Sequence, residues 1–223
     1  MWRRIPLAVL PALLALACGG SSKPDNAKTT VMSLRGLDCA GCLEALAKNL
    51  EKQEGVYDTS IDRRRAELAV VAEPSFDAFA TAKKLAKDEE FELVLGAGKG
   101  TYLPWKETPQ GADVKVVVEN GEDLPDLQTV LVEGKVTIVD FSAIWCEPCR
   151  KLDEHLMKVA AEHTDVAYRK LDVGDWDTPL AARYLKNVRE LPYVIIYDKR
   201  KKKVAQVEGL NLPKIDAAIA QAQ

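Results

Sequence analysis

The chain has 223 residues, 47% of them hydrophobic and 29% charged, the balance of an ordinary globular protein with room for one large or two small domains. A net charge of −3 lacks the basic excess that neutralises phosphates, so no nucleic-acid partner is expected. Five cysteines are too few for a disulfide scaffold at this length; one lies near the start and the others form two close pairs.

Residues 1–18 open on the basic "MWRR" and continue as "IPLAVLPALLALA", an apolar run too short to span a bilayer comfortably. The run ends at "ALAC", followed by "GGSS". This resembles a bacterial lipoprotein signal, in which Cys18 is lipidated and becomes the first mature residue. Ala15 to Ala17 also satisfy the small-x-small rule for ordinary secretion, but that cleavage leaves Cys18 an unpaired thiol in an oxidising compartment. Either route takes the mature protein out of the cytoplasm, into a bacterial periplasm, with membrane contact expected through Cys18. Residues 19–28, small and polar, read as a flexible tether.

Residues 29–95 carry a strand in "TTVMSLR", then "GLDCAGC", then Leu43, Leu46, Ala47 and Leu50 at amphipathic-helix spacing. "GVYDTSID" and "RAELAVVA" read as strands around Arg63 to Arg65, which are expected to form a solvated turn far from the cysteines. Ser75 is the expected cap of a second helix with Phe76, Phe79 and Ala80 on one face, and "FELVL" closes the unit. The order β-α-β-β-α-β is that of a ferredoxin-like α+β fold. Residues 96–112 follow as a linker rich in glycine, with Trp105 as its one tryptophan.

Residues 113–223 alternate strands and helices: "VKVVVE", the nearly all-apolar "VTIVDF", a helix opened by "WCEPC", "VAYRKLDV", "TPLAARYL" with Thr178 as cap and Pro179 in its first turn, "YVIIYD", "KVAQVEG" and a last helix over 213–221. The order β-α-β-α-β-β-α is α/β. The basic "KRKKK" reads as a solvated hairpin turn.

A Cys-x-x-Cys at a strand-to-helix junction places its first sulfur over unpaired N–H groups and the positive end of the helix dipole, which favour a thiolate. Cys146 is therefore the expected nucleophile and Cys149 the resolving thiol. A metal there would need further ligands, and the only histidines, His155 and His163, lie along the following helix. A structural disulfide closing so short a loop would stabilise little.

Over residues 113–223 the sequence resembles the thioredoxin superfamily, with "VDFSAIWCEPC" as its active-site segment. The resemblance implies that Asp140 is the buried proton acceptor for the resolving thiol. It further implies that Trp145, Pro192 after a cis bond, and Gly209 in "VEGL" shape the substrate groove, with Lys170 near the acid. Glu154 stands where many members have a helix-kinking proline. Glu147 replaces a commoner glycine, and its charge beside Cys146 opposes the thiolate, which favours a reductase or isomerase over an oxidase. "CEPC" also resembles extracytoplasmic thioredoxins. Such a protein needs no cofactor for its redox chemistry; its partners are protein thiol or disulfide substrates and an upstream electron donor.

"GLDCAGC" between a strand and a helix resembles the heavy-metal-associated domain of copper chaperones, with Leu37 and Asp38 where Met and Thr are common. That implies Cys39 and Cys42 as ligands for Cu(I) or another soft ion, with metal-handling proteins as partners. A disulfide or a second redox dithiol is the other reading of this pair. Tethering also allows the thioredoxin-like half to keep Cys39 and Cys42 reduced across a linker spanning roughly 20 Å. The rival to an oxidoreductase is a metal carrier in which the thioredoxin fold is a docking module.

Overall fold

The computed structural model describes residues 24–223; the expected signal, Cys18 and most of the tether lie outside the described residues. The first unit runs β1 (Lys28–Arg35), α1 (Ala40–Glu51), β2 (Val56–Asp62), β3 (Glu67–Ala72), α2 (Ala78–Leu85) and β4 (Glu92–Leu95). Its four-stranded sheet has the order β2-β3-β1-β4, and every neighbouring pair is antiparallel. Period-two apolar residues, Met32 and Leu34 on β1, Leu68 and Val70 on β3, face Leu43, Leu46, Ala47 and Leu50 of α1 and Ala78 and Ala82 of α2 in one core. The cap of α2 is Asp77, whose carboxylate accepts the N–H of Ala80 at 2.9 Å, rather than Ser75. The helix thereby starts later, and Phe76 and Phe79 only flank the core that Ala78 and Ala82 enter.

The glycine-rich segment after β4 is pinned to this unit over its first half. Gly96 N–H donates to Val31 O (2.9 Å), Thr101 N–H to Leu34 O (2.9 Å) and Leu103 N–H to Leu37 O (2.8 Å), while Leu37 N–H donates to Thr101 O (3.0 Å). Close approach explains the composition. A Cβ on Gly100 would stand 2.0 Å from the carbonyl oxygen of Arg65, so only glycine fits there.

The second unit runs β5 (Val114–Val118), a 3-10 turn (Leu127–Val130), β6 (Val136–Ser142), α3 (Glu147–Glu162), β7 (Val166–Asp172), α4 (Pro179–Tyr184), β8 (Tyr193–Tyr197), β9 (Lys203–Glu208) and α5 (Leu212–Ala222). Its sheet order is β5-β7-β6-β8-β9, parallel across β5, β7 and β6 and antiparallel across β6, β8 and β9. On one face Leu152, Leu156, Ile215 and Ile219 from α3 and α5 cover Ile138, Tyr168 and Val194. On the other, Leu180, Ala181 and Leu185 around α4 cover Phe141, Leu171 and Tyr193. Buried on both faces, β6 has no accessible residue, as its unbroken apolar sequence requires. Its end delivers the chain to the start of α3.

Candidate active site

Cys146 caps α3 from extended backbone, and its Sγ accepts the N–H of Cys149 at 3.2 Å. The two cysteines form a disulfide with a Cα–Cα distance of 5.3 Å. Cys149 is wholly buried, while Cys146 is 5% exposed. The sulfur nearer the surface is therefore also the one at the positive helix end, where an anion is favoured. Glu147 ion-pairs with Lys151 at 2.6 Å. The charge expected to oppose a thiolate is thus largely neutralised within one turn, which weakens the argument drawn from that residue. Glu154, in place of a kinking proline, pairs with Lys106 at 2.7 Å, and α3 runs unbroken.

Beneath this junction lies a buried polar cluster. Asp140 on β6 is fully inaccessible, and its Oδ1 has no hydrogen-bond partner. The Tyr168 hydroxyl lies 2.8 Å from Asp140 Oδ2 and 3.0 Å from Asp153 Oδ1, yet has a single proton to donate. Burial pushes the Asp140 carboxyl up to about 7, with the neighbouring Asp153 charge adding to it; the Tyr168 hydrogen bond and the Lys170 charge pull the other way. Burial likewise raises the Tyr168 hydroxyl, with both carboxylates adding to the effect. Lys170 Nζ pairs directly with Asp153 at 2.6 Å and sits 4.4 Å from the centre of the Trp105 ring. Asp140 is therefore joined through Tyr168 to α3, one turn beyond Cys149. A carboxyl that changes charge near neutrality suits it to take or return a proton there.

Of the expected groove residues, Trp145 lines one cleft with Cys146, together with Leu191. Trp145 Nε1–H donates to Gly174 O at 2.6 Å, the Leu191–Pro192 bond is cis, and Gly209 N–H donates to Pro192 O at 2.9 Å. Gly209 has φ +72°, and a Cβ there would meet Glu190 Oε1 at 2.4 Å.

The other cysteine pair opens onto the same place. Cys39 caps α1, and Cys39 and Cys42 are free and partly exposed. Burial raises the Cys42 thiol, with the charge of Cys39 adding to it. A cleft of about 370 Å³ is lined by Cys39, Glu44, Trp145, Cys146, Glu190 and Leu191, among others. The N–H of Ala40 donates to Trp145 O at 2.9 Å. Arg150 donates to the carbonyls of Asp38, Leu103, Pro104 and Ile144 and lies 5.1 Å from the centre of the Trp105 ring, so one guanidinium ties both units together. Arg63, expected in a remote solvated turn, instead pairs with Glu44 at 2.9 Å and stacks 5.9 Å from the centre of the Trp145 ring. Among the described residues no group of three or more His, Cys, Asp and Glu side chains is arranged to hold a metal; Cys39 and Cys42 make a two-thiol set only.

Asp153, Tyr168 and Arg150 escaped the sequence reading. The available signal for Asp153 was its position on the stripe Cys149, Leu152, Leu156, where a solvated charge has no place. Tyr168 lay in a buried strand with no partner visible in sequence. Arg150 follows Cys149 directly, and nothing local marks the carbonyls it reaches.

Comparison with known proteins gives a family model described as thioredoxin, matching residues 122–221. "Thioredoxin-2" of Saccharomyces cerevisiae is 38% identical over 43% of this chain and 88% of its own length. "Thioredoxin-2" of Pyricularia oryzae is 34% identical over 48% of this chain, and the match spans 60% of that protein. The crystal structure of spinach chloroplast thioredoxin F (short form) superposes with a TM-score of 0.41 at 25% identity, covering 50% of this chain and 94% of that one.

Proposed function

The chain belongs to the thioredoxin family, and from that membership we propose that it is a thiol–disulfide oxidoreductase acting on protein disulfides. The Cys146 thiolate attacks a substrate disulfide, forms a mixed disulfide and releases one substrate thiolate. Cys149 then loses its proton to Asp140 and attacks Cys146 Sγ, releasing the second substrate thiolate and closing the Cys146–Cys149 bond. Two electrons pass to the substrate, and an external donor restores the dithiol. Trp145, Pro192 and Gly209 shape the groove. The observation that carries this reading is the pairing of Cys146 at the cap of α3 with an inaccessible acid held up to about 7 on the adjoining strand.

Reductase or isomerase is the proposed direction. It rests on Glu147, and Lys151 reduces its weight. A potential near roughly −270 mV for the Cys146–Cys149 couple is the expected value, and one near −120 mV would mark an oxidant. Loss of insulin-disulfide reduction in Cys146→Ser is expected; full retention would overturn the reading.

The first unit we read as a ferredoxin-like, heavy-metal-associated type of domain. Two partly exposed thiols at one helix start favour this, since such a pair suits a soft, two-coordinate ion such as Cu(I). The reduced chain is then expected to compete with bathocuproine disulfonate for Cu(I), and Cys39→Ser/Cys42→Ser to lose that ability. Retention in the variant would remove the assignment, and with it the rival role of metal carrier. Extracytoplasmic location and a Cys18 lipid anchor are proposed from residues 1–18. Release of Cys18→Ser from the membrane fraction is the expected result, and unchanged fractionation would count against the anchor.

A further inference from the structure

The two cysteine pairs each begin a helix, and the helices meet start to start. Cys39 caps α1 and Cys146 caps α3. A single hydrogen bond joins the residue after the first to the residue before the second, Ala40 N–H to Trp145 O at 2.9 Å. Standard bond lengths along that path limit the separation of the Cys39 and Cys146 Cα atoms to about 10 Å. A disulfide needs roughly 4.4–6.8 Å, so the pair is within a small adjustment of bonding distance.

Although Cys39 occupies the cap, its side chain makes no capping hydrogen bond, and it lines the same cleft as Cys146 and Leu191, the residue before Pro192. The contact is also held from outside the cleft. Arg150 grips Asp38, immediately before Cys39, together with the strap carbonyls of Leu103 and Pro104. Arg63 of the first unit stacks on Trp145, immediately before Cys146.

We infer that Cys39–Cys42 is a redox partner built into the chain, exchanging its dithiol or disulfide directly with Cys146–Cys149. This rests on the oxidoreductase reading and names a substrate for it. From the state in the structure, with Cys146–Cys149 bonded and Cys39 and Cys42 free, Cys39 as thiolate attacks Cys146 Sγ. The Cys39–Cys146 bond forms, the Cys146–Cys149 bond breaks, and Cys149 leaves as a thiolate. Cys42, deprotonated by solvent, then attacks Cys39 Sγ, forming Cys39–Cys42 and releasing Cys146 as a thiolate. The Cys39/Cys42 dithiol loses two electrons and the Cys146–Cys149 disulfide gains them, with no further reactant. Run backwards, the same steps let the reduced second unit open a Cys39–Cys42 disulfide.

Removing the resolving thiol of each pair tests this. In the full chain carrying Cys42→Ser and Cys149→Ser, treated with oxidised glutathione, a Cys39–Cys146 disulfide is expected within single chains, mapped by mass spectrometry of non-reduced peptides. Its formation should be first order and about a hundredfold faster than the same bond between chains at about 10 µM, as a millimolar effective concentration requires. The Cys42→Ala/Cys149→Ala chain repeats the trap with different replacements, so the result does not depend on the folding of one variant. A singly glutathionylated chain whose remaining thiol never displaces glutathione to join Cys39 to Cys146, or a bond that forms only between chains with second-order kinetics, would overturn the inference. Insulin reduction by the unsubstituted chain is scored in parallel. Activity without the trapped bond removes the internal exchange alone, whereas an inactive unsubstituted chain removes the oxidoreductase reading beneath it.

Discussion

The hydroxyl of Tyr168 lies 2.8 Å from Asp140 Oδ2, at the only hydrogen-bonded oxygen of a carboxyl that has no access to water. Because burial raises that carboxyl from 3.8 to about 7, the folded protein binds more protons there than the unfolded chain does. Stability from this group is complete below about pH 4 and is lost as pH climbs to about 7. Asp140→Asn removes the penalty. Its oxidised form is expected to exceed the parent by roughly 2–4 kcal/mol in urea unfolding at about pH 8, with the gap closing towards pH 4. A gap that does not depend on pH would show that Asp140 does not titrate in this window.

Lys170 and Asp153 form a buried ion pair at 2.6 Å. Removing one partner strands the other, so Lys170→Met is expected to lose about 3–5 kcal/mol. The Lys170 charge also holds Asp140 down; without it the midpoint of the pH-dependent stability should move upwards. Lys170→Met combined with Asp153→Leu should recover much of the loss, and denaturant titration of all three chains over a pH series checks both effects.

Arg150→Met leaves four carbonyls without their shared donor, at a cost of about 1–3 kcal/mol. The first unit then sits less firmly over Cys146. Alkylation of reduced Cys146 by iodoacetamide should speed up several-fold while that of unfolded protein stays the same; an unchanged folded-state rate would mean that Arg150 does not hold the contact.

Gly100→Ala places a methyl group against the backbone oxygens of Arg65 and Ala66, at 2.0 and 2.6 Å. Backbone cannot swing aside as a side chain can, so the strap must lift. A loss of about 1–3 kcal/mol and new protease cleavage within 96–104 are expected; a variant with parental melting and no new cleavage would show that the strap tolerates the methyl.

Most of the elements are legible in the sequence because the signals are local. "VTIVDF" is apolar throughout and reads as a buried strand, "WCEPC" marks the helix start, and Thr178-Pro179 announces α4 with its side-chain cap on Ala181. Less visible is anything defined by close approach between distant segments. The glycines of 96–100 read as freedom, whereas at Gly100 the missing side chain permits contact with Arg65. A carboxylate on the apolar stripe of α3 reads only as misplaced, and the fold reveals that Asp153 faces Lys170 and Tyr168. Arg63 sits in a run of three arginines, where nothing in sequence separates the one stacked on Trp145.

Because Cys146 is only 5% exposed and shares its cleft with Cys39, Ala40 and Gly41 at the start of α1, a foreign polypeptide would have to share that cleft or displace the first unit from it. Its apparent affinity is then multiplied by the fraction of time the cleft stands clear. Choice among outside clients would then depend on how readily the first unit yields the cleft as well as on the fit of each newcomer.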